Sequence, residues 1–395
     1  MHPLFSRIAA AFLVLTASSG AVSAQVTVRK SATNGNPGLC LVDYQGPASG
    51  QQRLLKVIVQ SDWFTVQPTS AGALYRLKAR YSPGNLDLEL ATGVGAAVRI
   101  NQRSATPEGA IYKGVDALIQ KVFNTPGPCA SSIAFVNGTG GRKEIFTCLF
   151  DGTSGRQITT NQSISTEPSW GPRGTSLVYT LYQGCFTDVV LYDLVNHRQR
   201  RISEFPGLNA SADLSPDGAW VALCLSRDRM VDLYVMRLQD RALRRLTRDV
   251  SVESSPCWSP DGRTICFVSD RAGRPNLYLI SAAGGTPRRL LNTAAETVSP
   301  TWSHVSNKIG FATRGFGGDY ALGMIDYGKG DRSMQPVATT GRWEAPSWAP
   351  DGRHLVAARK GGNARELCIV DSWFGTVLPV TRAGNYSLPS WSPAQ

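Results

Sequence analysis

Few residues of this 395-residue sequence have the types and the spacing that catalysis requires. A serine hydrolase of the α/β type exposes its nucleophile on a strained G-x-S-x-G turn, and no such motif occurs here. His197 lies in a polar stretch, and His304 and His354 fall at turns, so we expect solvated histidines rather than a general base. H-E-x-x-H, P-loop and G-x-G-x-x-G motifs are also missing, so we predict no enzyme activity, no cofactor and no bound metal.

Eight cysteines are the other residues that can do chemistry, through metal binding or disulfide formation. Their spacing follows no zinc pattern and contains no C-x-x-C pair. Cys224 and Cys266 lie inside apolar, strand-like runs, where a lone thiol behaves as a small apolar side chain. We therefore expect mostly buried core thiols and leave one or two disulfides open. The cysteines are Cys40, Cys129, Cys148, Cys185, Cys224, Cys257, Cys266 and Cys368.

The elements that position these residues follow from a repeat related to Trp-Ser-Pro-Asp-Gly. Its anchor falls at residues 170, 214, 258, 302, 348 and 391, at intervals of 43 to 46 residues, the length of a four-stranded propeller blade. Ser-Pro-Asp-Gly suits a type I turn, because proline presets φ at the second position and glycine is favoured at the fourth. We predict that the tryptophan packs between blades and that the turn residues have a structural role.

The two ends of the repeat array complement each other. Ile133–Val136 matches the strand after the turn but has no motif before it, whereas Trp391-Ser392-Pro393 has no strands after it. The last strand would complete the first blade and close a ring. The sequence therefore predicts a mainly β protein: a six-bladed β-propeller over residues 132–395, preceded by a small α/β domain.

The predicted α/β domain spans residues 38–128, which lack the repeat. Apolar spacing predicts helices over 51–60 and 108–123 and strands near 39–43, 63–66 and 86–90. The Pro- and Gly-rich segment 124–128 ends the second helix and leads into the propeller.

The first 24 residues have the pattern of a secretory signal. Arg7 precedes an apolar run from Ile8 to Leu15, and small residues end at Ala24. The run is too short to span a bilayer. We expect cleavage near Ala24 and a soluble mature chain with a flexible tail over 25–37. The formal charge of +12 could attract nucleic acid, but export argues against such a partner.

The strand order brings two sets of loops to one end of the propeller: those before each motif and those between the second and third strands. In five of six blades the second set carries cations. We hypothesise a mildly cationic docking rim that speeds encounter with an acidic partner, and ordinary solvated loop charge is an equal alternative. The cations are Arg142, Lys143, Arg227, Arg229, Arg271, Arg274, Arg314, Lys360 and Arg365.

The export signal, the small α/β domain, the six blades and the closing strand together resemble the TolB family. The segment from Asp116-Ala117-Leu118-Ile119 through Gly127 to Ile133-Ala134-Phe135-Val136 keeps the spacing of the family hinge. Ser269-Asp270-Arg271-Ala272-Gly273-Arg274-Pro275 resembles a third-blade loop of the family. The resemblance implies a monomeric, non-enzymatic, periplasmic adaptor of the Tol-Pal system, which serves envelope integrity and cell division.

The resemblance also implies partners and the segments that bind them. TolB-like proteins dock Pal, a peptidoglycan-associated lipoprotein, on the channel-mouth loops, and they offer their amino terminus to TolA. These loops correspond to 207–211, 252–255, 295–299 and 341–345, and the tail to 25–36. With rim cations added, the candidate partner-binding residues are Gly207, Leu208, Asn209, Ser211, Glu253, Ser254, Glu296, Glu344, Arg142, Arg227, Arg271 and Arg274. The alternative is an exported propeller that binds a glycan or peptide outside a Tol-Pal system.

Overall fold

The computed structural model describes residues 35–92, 96–315, 318–329 and 333–394. The predicted signal peptide and most of the predicted tail lie outside these ranges. Among the described residues, neither helix combines the length and the apolar character needed to cross a bilayer.

Residues 38–123 form a five-stranded sheet packed against two helices, in the strand order β2-β1-β3-β4-β5. Strand β3 alternates buried and exposed residues, as expected for a sheet with one covered face. The helix predicted over 108–123 is confirmed, and it ends at Asn124, whose left-handed φ of 54° forms the C-cap. The elements are β1 Gly38–Gln45, α1 Ala48–Gln60, β2 Thr65–Val66, β3 Tyr75–Ser82, β4 Asn85–Thr92, β5 Val98–Arg103 and α2 Gly109–Phe123.

The remaining strands form six blades of four strands each, antiparallel within a blade, and one parallel pairing of Lys143 with Ile164 joins blades 1 and 2 into an eight-stranded sheet. Blade 1 contains β6 Ser132–Thr139, β7 Arg142–Leu149, β8 Arg156–Gln157 and β29 Tyr386–Trp391. Blade 2 contains β9 Ile164–Trp170, β10 Ser176–Gln183, β11 Phe186–Asp193 and β12 Arg198–Ser203. Blade 3 contains β13 Asn209–Leu214, β14 Trp220–Asp228, β15 Met230–Arg237 and β16 Leu243–Arg245.

Blades 4 to 6 repeat this plan. Blade 4 contains β17 Glu253–Trp258, β18 Thr264–Ser269, β19 Asn276–Ser281 and β20 Arg288–Arg289. Blade 5 contains β21 Glu296–Trp302, β22 Lys308–Arg314, β23 Ala321–Asp326 and β24 Gln335–Ala338. Blade 6 contains β25 Arg342–Trp348, β26 His354–Gly361, β27 Ala364–Asp371 and β28 Val377–Pro379.

The ring is closed by the last strand of the chain. Strand β29 pairs antiparallel with β6, with Trp391 opposite Ile133 and Tyr386 opposite Asn137. The Ser392 N–H adds a 2.8 Å hydrogen bond to the Ser132 carbonyl. Residues near opposite ends of the propeller sequence therefore share one blade.

The repeated motif joins neighbouring blades, as its chemistry predicts. The Trp258 indole donates to the Asp213 carbonyl of blade 3 at 3.0 Å, and the Trp348 indole donates to the Thr301 carbonyl of blade 5 at 3.2 Å. Within the turn, the Asp261 carboxylate accepts from the Ser259 hydroxyl at 2.6 Å. The indoles of Trp258 and Trp348 are thus buried with their N–H groups satisfied, which fixes blades 4 and 6 against the blades that precede them.

The cysteines are mainly small core side chains, as predicted. All eight thiols are free; seven are buried, and Cys185 is exposed. Cys257 and Cys266 lie in the apolar cluster between blades 4 and 5.

Candidate partner-binding face and interdomain cluster

A β-bulge recurs at the same place in all six inner strands, and it shapes the wall of the central channel. One residue at each bulge has a left-handed φ of 47° to 54°. These residues are Glu167, Ser211, Ser255, Ser299, Ala345 and Leu388. Five of the six are followed by proline. A bulge bends its strand, so each inner strand turns at the same level of the channel.

The bulged segments and the inner-strand tryptophans enclose a cavity of about 200 Å³ on the propeller axis. Small-molecule sites usually measure roughly 300–1,000 Å³. His304 also lines this cavity and is exposed, as the sequence predicted for this histidine.

Two predicted contact residues, Asn209 and the half-buried Gly207, shape their loop. Asn209 is fully buried; its amide donates to the Phe205 and Thr187 carbonyls at 2.6 and 2.8 Å. Gly207 has a φ of +97°, and a Cβ there would lie 2.3 Å from the Ser226 hydroxyl. The Leu208 N–H donates to the same hydroxyl at 2.7 Å. These residues order the loop that leads into blade 3.

Three of the nine predicted rim cations are ion-pair partners of the three predicted rim carboxylates. Three arginines, in the second strand, in the third strand or in the loop between them, pair with carboxylates near the start of the inner strand in the same blade. The pairs are Arg271–Glu253 at 2.7 Å, Arg314–Glu296 at 2.6 Å and Arg365–Glu344 at 3.0 Å. The positive potential expected from sequence is therefore partly neutralised in blades 4, 5 and 6.

Glu253 is the most buried member of these pairs, with no exposed surface. Burial raises the pKa of its carboxyl to about 7, although the Arg271 charge opposes this shift. Its Oε2 atom is buried and has no hydrogen-bond partner within the described ranges. Glu253 can therefore order the rim but does not face a partner.

Other predicted residues of this face are accessible. Arg142, Arg227 and Arg274 are exposed, and Ser211 and Ser254 are half-buried. The Arg227 guanidinium stacks 4.8 Å from the centre of the Phe205 ring, and Arg274 donates to the Ala294 carbonyl at 3.1 Å. A partner that docks on this face would therefore contact mainly arginine side chains and the backbone groups of the loops.

The α/β domain packs against the turns at the opposite end of the propeller, over blades 1 and 6. The Trp63 indole donates to the Asp351 carboxylate of blade 6 at 3.0 Å. In blade 1 the Asp151 carboxylate accepts from the Tyr112 hydroxyl at 3.0 Å and lies 3.1 Å from Arg53. The channel mouth with the rim is left uncovered by this domain.

His354 lies at the centre of the contact with blade 6, and the expectation that it is solvated is wrong. Its side chain is buried, and Nδ1 lies 2.6 Å from an oxygen of Asp351. Nε2 lies 3.9 Å from the Asp62 carboxylate of the α/β domain. Burial alone would lower the pKa of His354, but the two carboxylates outweigh it and raise the pKa to about 9.

Arg353 and Asp371 complete this interdomain cluster of Asp62, Asp351, Arg353, His354 and Asp371. The Arg353 guanidinium forms two hydrogen bonds to Asp371, at 2.7 and 3.1 Å. It stacks between the rings of Trp63 and Trp373, 4.8 and 4.4 Å from their centres. The guanidinium also donates to Oδ1 of Asn36 at 2.8 Å, which places the end of the predicted tail beside the cluster.

Sequence reasoning missed this cluster because its members come from both domains. One local signal was available. Blade 6 has Ala349 where blade 4 has Ser259, so Asp351 lacks the hydroxyl partner that Asp261 has. Asp351 instead accepts from His354 and Trp63 through Oδ2.

These features define a class of protein: a closed six-bladed β-propeller whose α/β domain packs over blades 1 and 6 at one face and leaves the other face uncovered. The family model described as the TolB beta propeller domain matches residues 120–395. The chain therefore belongs to the TolB β-propeller family, and the resemblance inferred from sequence is confirmed.

Individual relatives match over shorter stretches. The Tol-Pal system protein TolB of Desulfosudis oleivorans is 33% identical over 108 residues, 27% of this chain and 24% of the relative. A TolB homolog of Chlorobium luteolum is 33% identical over 90 residues, 22% of this chain and 21% of the relative. The chain thus spans about a quarter or less of the length of these curated relatives.

The fold resembles a solved structure over nearly its whole length. The crystal structure of TolB from Acinetobacter baumannii superposes with a TM-score of 0.82 at 22% identity, over 91% of this chain and 97% of that one. At this identity the likeness establishes the shared architecture.

Proposed function

We propose that this protein is a non-enzymatic periplasmic adaptor of a Tol-Pal system. A Pal-like lipoprotein would dock on the open channel mouth, and the amino-terminal tail would bind a TolA-like protein. The observation that carries the proposal is the asymmetry of the propeller: the α/β domain covers the turns of blades 1 and 6, while the rim loops stay accessible. Membership of the TolB family and the names of its curated relatives support the choice of system.

The channel itself favours a protein partner over a small ligand. Its cavity of about 200 Å³ lies below the usual size of a small-molecule pocket. Loops that surround the mouth offer backbone groups and arginines, which suit a macromolecular surface. A glycan or peptide that binds in the channel would instead compete with Pal for the mouth.

Docking can be tested with the soluble domain of the Pal-like lipoprotein from the same genome. We expect the triple variant Arg142→Glu, Arg227→Glu, Arg274→Glu to bind this domain roughly tenfold more slowly at low salt, because charge steers encounter. The matched control reverses Arg173, Arg263 and Arg288, which are exposed away from the rim. Absence of binding by the unaltered protein would overturn the adaptor proposal, whereas equal rates for both variants would overturn only the role of the rim arginines.

The proposed role of the tail has a separate test. Deletion of residues 25–34 should abolish binding to the periplasmic domain of a TolA-like protein and leave Pal binding unchanged. Deletion stops before Asn36, because Asn36 contacts Arg353 and Asp62. TolA binding that survives the deletion would exclude the tail as the contact.

A further inference from the structure

The geometry points to a divalent metal site between the two domains, formed by Asp62, His354 and Asp371. We propose that these side chains bind one transition-metal ion of the zinc type, with solvent at the remaining coordination position. Local sequence patterns do not indicate this site, because Asp62 is nearly 300 residues from His354. The proposal is independent of the adaptor function.

The three side chains already converge. Each offers one ligand atom, and these atoms lie within 4.8 Å of one another. Asp62 follows α1 with a φ of 53°, a left-handed conformation that aspartate tolerates better than most residues. His354 and Asp371 belong to adjacent strands of blade 6, where they are paired across β26 and β27. Tetrahedral zinc sites with three protein ligands of the imidazole and carboxylate types keep one position for water.

The orientation of His354 is the second, independent observation. Its Nδ1 atom lies 2.6 Å from Asp351, and metal-binding histidines characteristically donate their other N–H to such a carboxylate. Its Nε2 atom is buried and has no hydrogen-bond partner among the described residues. A buried polar atom without a partner is costly, and a metal ion would satisfy it.

The carboxylates retain acceptor capacity for an ion. Oδ2 of Asp371 accepts from Arg353 at 2.7 Å, and Oδ2 of Asp62 accepts from the Thr376 hydroxyl at 2.7 Å. A carboxylate oxygen has two lone pairs, so each has a second one for a metal. Arg353 remains beside Asp371 as a fixed neighbour of the site.

The charge of the cluster also suits a cation. Asp62, Asp351 and Asp371 bring three carboxylates to one place, against one permanent positive charge on Arg353. A divalent ion bound by these side chains would balance the two excess negative charges, since ligand imidazoles bind metals in their neutral form.

Such a site would join the two domains. Asp62 belongs to the α/β domain, whereas His354 and Asp371 belong to blade 6. An ion held by all three would therefore strengthen the contact between the domains and raise the stability of the whole chain, because it binds only the folded state.

The test uses the mature full-length chain, stripped with a chelator and dialysed at pH 7.5. We expect elemental analysis after exposure to ZnCl₂ and desalting to find one zinc per chain. We also expect zinc to raise Tm by a few degrees, reversibly with chelator, as mass action predicts for a ligand of the native state.

Asp62→Asn should weaken zinc binding at least tenfold, and Asp43→Asn, an exposed aspartate of the same domain, should leave it unchanged. Less than 0.1 zinc per chain in the unaltered protein, or equal zinc affinity in the Asp62 variant, would overturn the site. The measurement on the unaltered chain decides the question even where a variant fails to fold.

Discussion

Glu253 and Glu296 are the first residues of the inner strands in successive blades, yet the pKa values of their carboxyls shift in opposite directions. Glu253 is fully buried, and burial raises its pKa to about 7 against the effect of Arg271. Glu296 is half-buried, and hydrogen bonds from Arg314 and Tyr320 lower its pKa. The carboxyl pKa values of two glutamates at equivalent positions therefore shift in opposite directions because the two side chains differ in solvent exposure.

This difference predicts a pH dependence of stability. The folded state holds the proton of Glu253 more tightly than the unfolded chain, where its ordinary pKa is 4.5. Its contribution to stability is therefore complete below that value and is lost as pH rises through about 7. Glu253→Gln mimics the neutral carboxyl, so it should flatten the decline in the free energy of unfolding between pH 5 and 8, by up to about 3 kcal/mol.

Urea unfolding at four pH values in this range measures the slope. Glu296→Gln is the matched control: its lowered pKa means that its contribution is present above its ordinary pKa and lost only in acid, so the slope between pH 5 and 8 should not change. Burial raises the pKa of the Asp116 carboxyl to about 6. Asp116 therefore adds the same decline of stability with pH to the unaltered protein and to both glutamine variants. An unchanged slope in Glu253→Gln would show that this carboxyl is ionised throughout.

At the scale of single elements, the bulge in each inner strand is a conformation that most residues resist. Ser255 has a φ of 49°, whereas the φ of its neighbour Ser254 is not in the left-handed region. Valine is especially unfavourable in the left-handed region because of its branched Cβ. We therefore expect Ser255→Val to lower the free energy of unfolding by roughly 1–2 kcal/mol.

Ser254→Val provides the control, because both serines are half-buried in the same strand. It should cost clearly less, and Ser255→Gly should be neutral or stabilising, since glycine adopts this φ without strain. Equal losses from the two valine variants, measured by urea unfolding, would mean that the bulge can relax.

The same scale shows what sequence can and cannot predict. The blades were predictable because each turn is encoded by adjacent residues, as in Ser259-Pro260-Asp261-Gly262, and because the period repeats. Strands β3 and β5 were missed, although the alternation of Tyr75, Leu77, Ala79 and Tyr81 with charged residues is a strand pattern. Prediction of the ion pair between Arg271 and Glu253 would have required the register of the strands that carry them into place. The spacing of charged residues along the sequence does not give that register.

The interdomain cluster was beyond local reasoning for a different reason. The turn that precedes His354 resembles the exposed turns of other blades, but here the docked α/β domain covers it. Burial of a turn residue by a distant domain depends on shape matching across the whole molecule, so the sequence favoured a solvated histidine at a position that is in fact inside.

On the scale of the whole molecule, closure by β29 is the feature on which cooperativity depends. Removal of residues 386–395 would leave β6 without its inner neighbour and break the contact that Trp391 makes with Ser131. We expect the truncated protein to lose a single sharp transition and to melt at least ~10 °C lower, since a ring with one missing strand exposes apolar blade surface.

A shorter deletion, of residues 393–395, keeps β29 intact and serves as the control. Calorimetry of both proteins compares the width and the midpoint of the transition. A truncated protein that melts as sharply and at the same temperature as the intact one would show that the first blade is stable without the terminal strand.

The closing strand also imposes an order of events during biogenesis. Because a polypeptide is synthesised from its amino terminus, β6 is made early and β29 after the other described strands, so the first blade cannot be completed until β29 is made. Blades 2 to 6 can form beforehand, but the ring stays an open arc with an unpaired edge until β29 pairs with β6. Completion of the ring therefore depends on synthesis of β29. A chain truncated before this strand would keep an unpaired strand edge on which other chains could pair and aggregate.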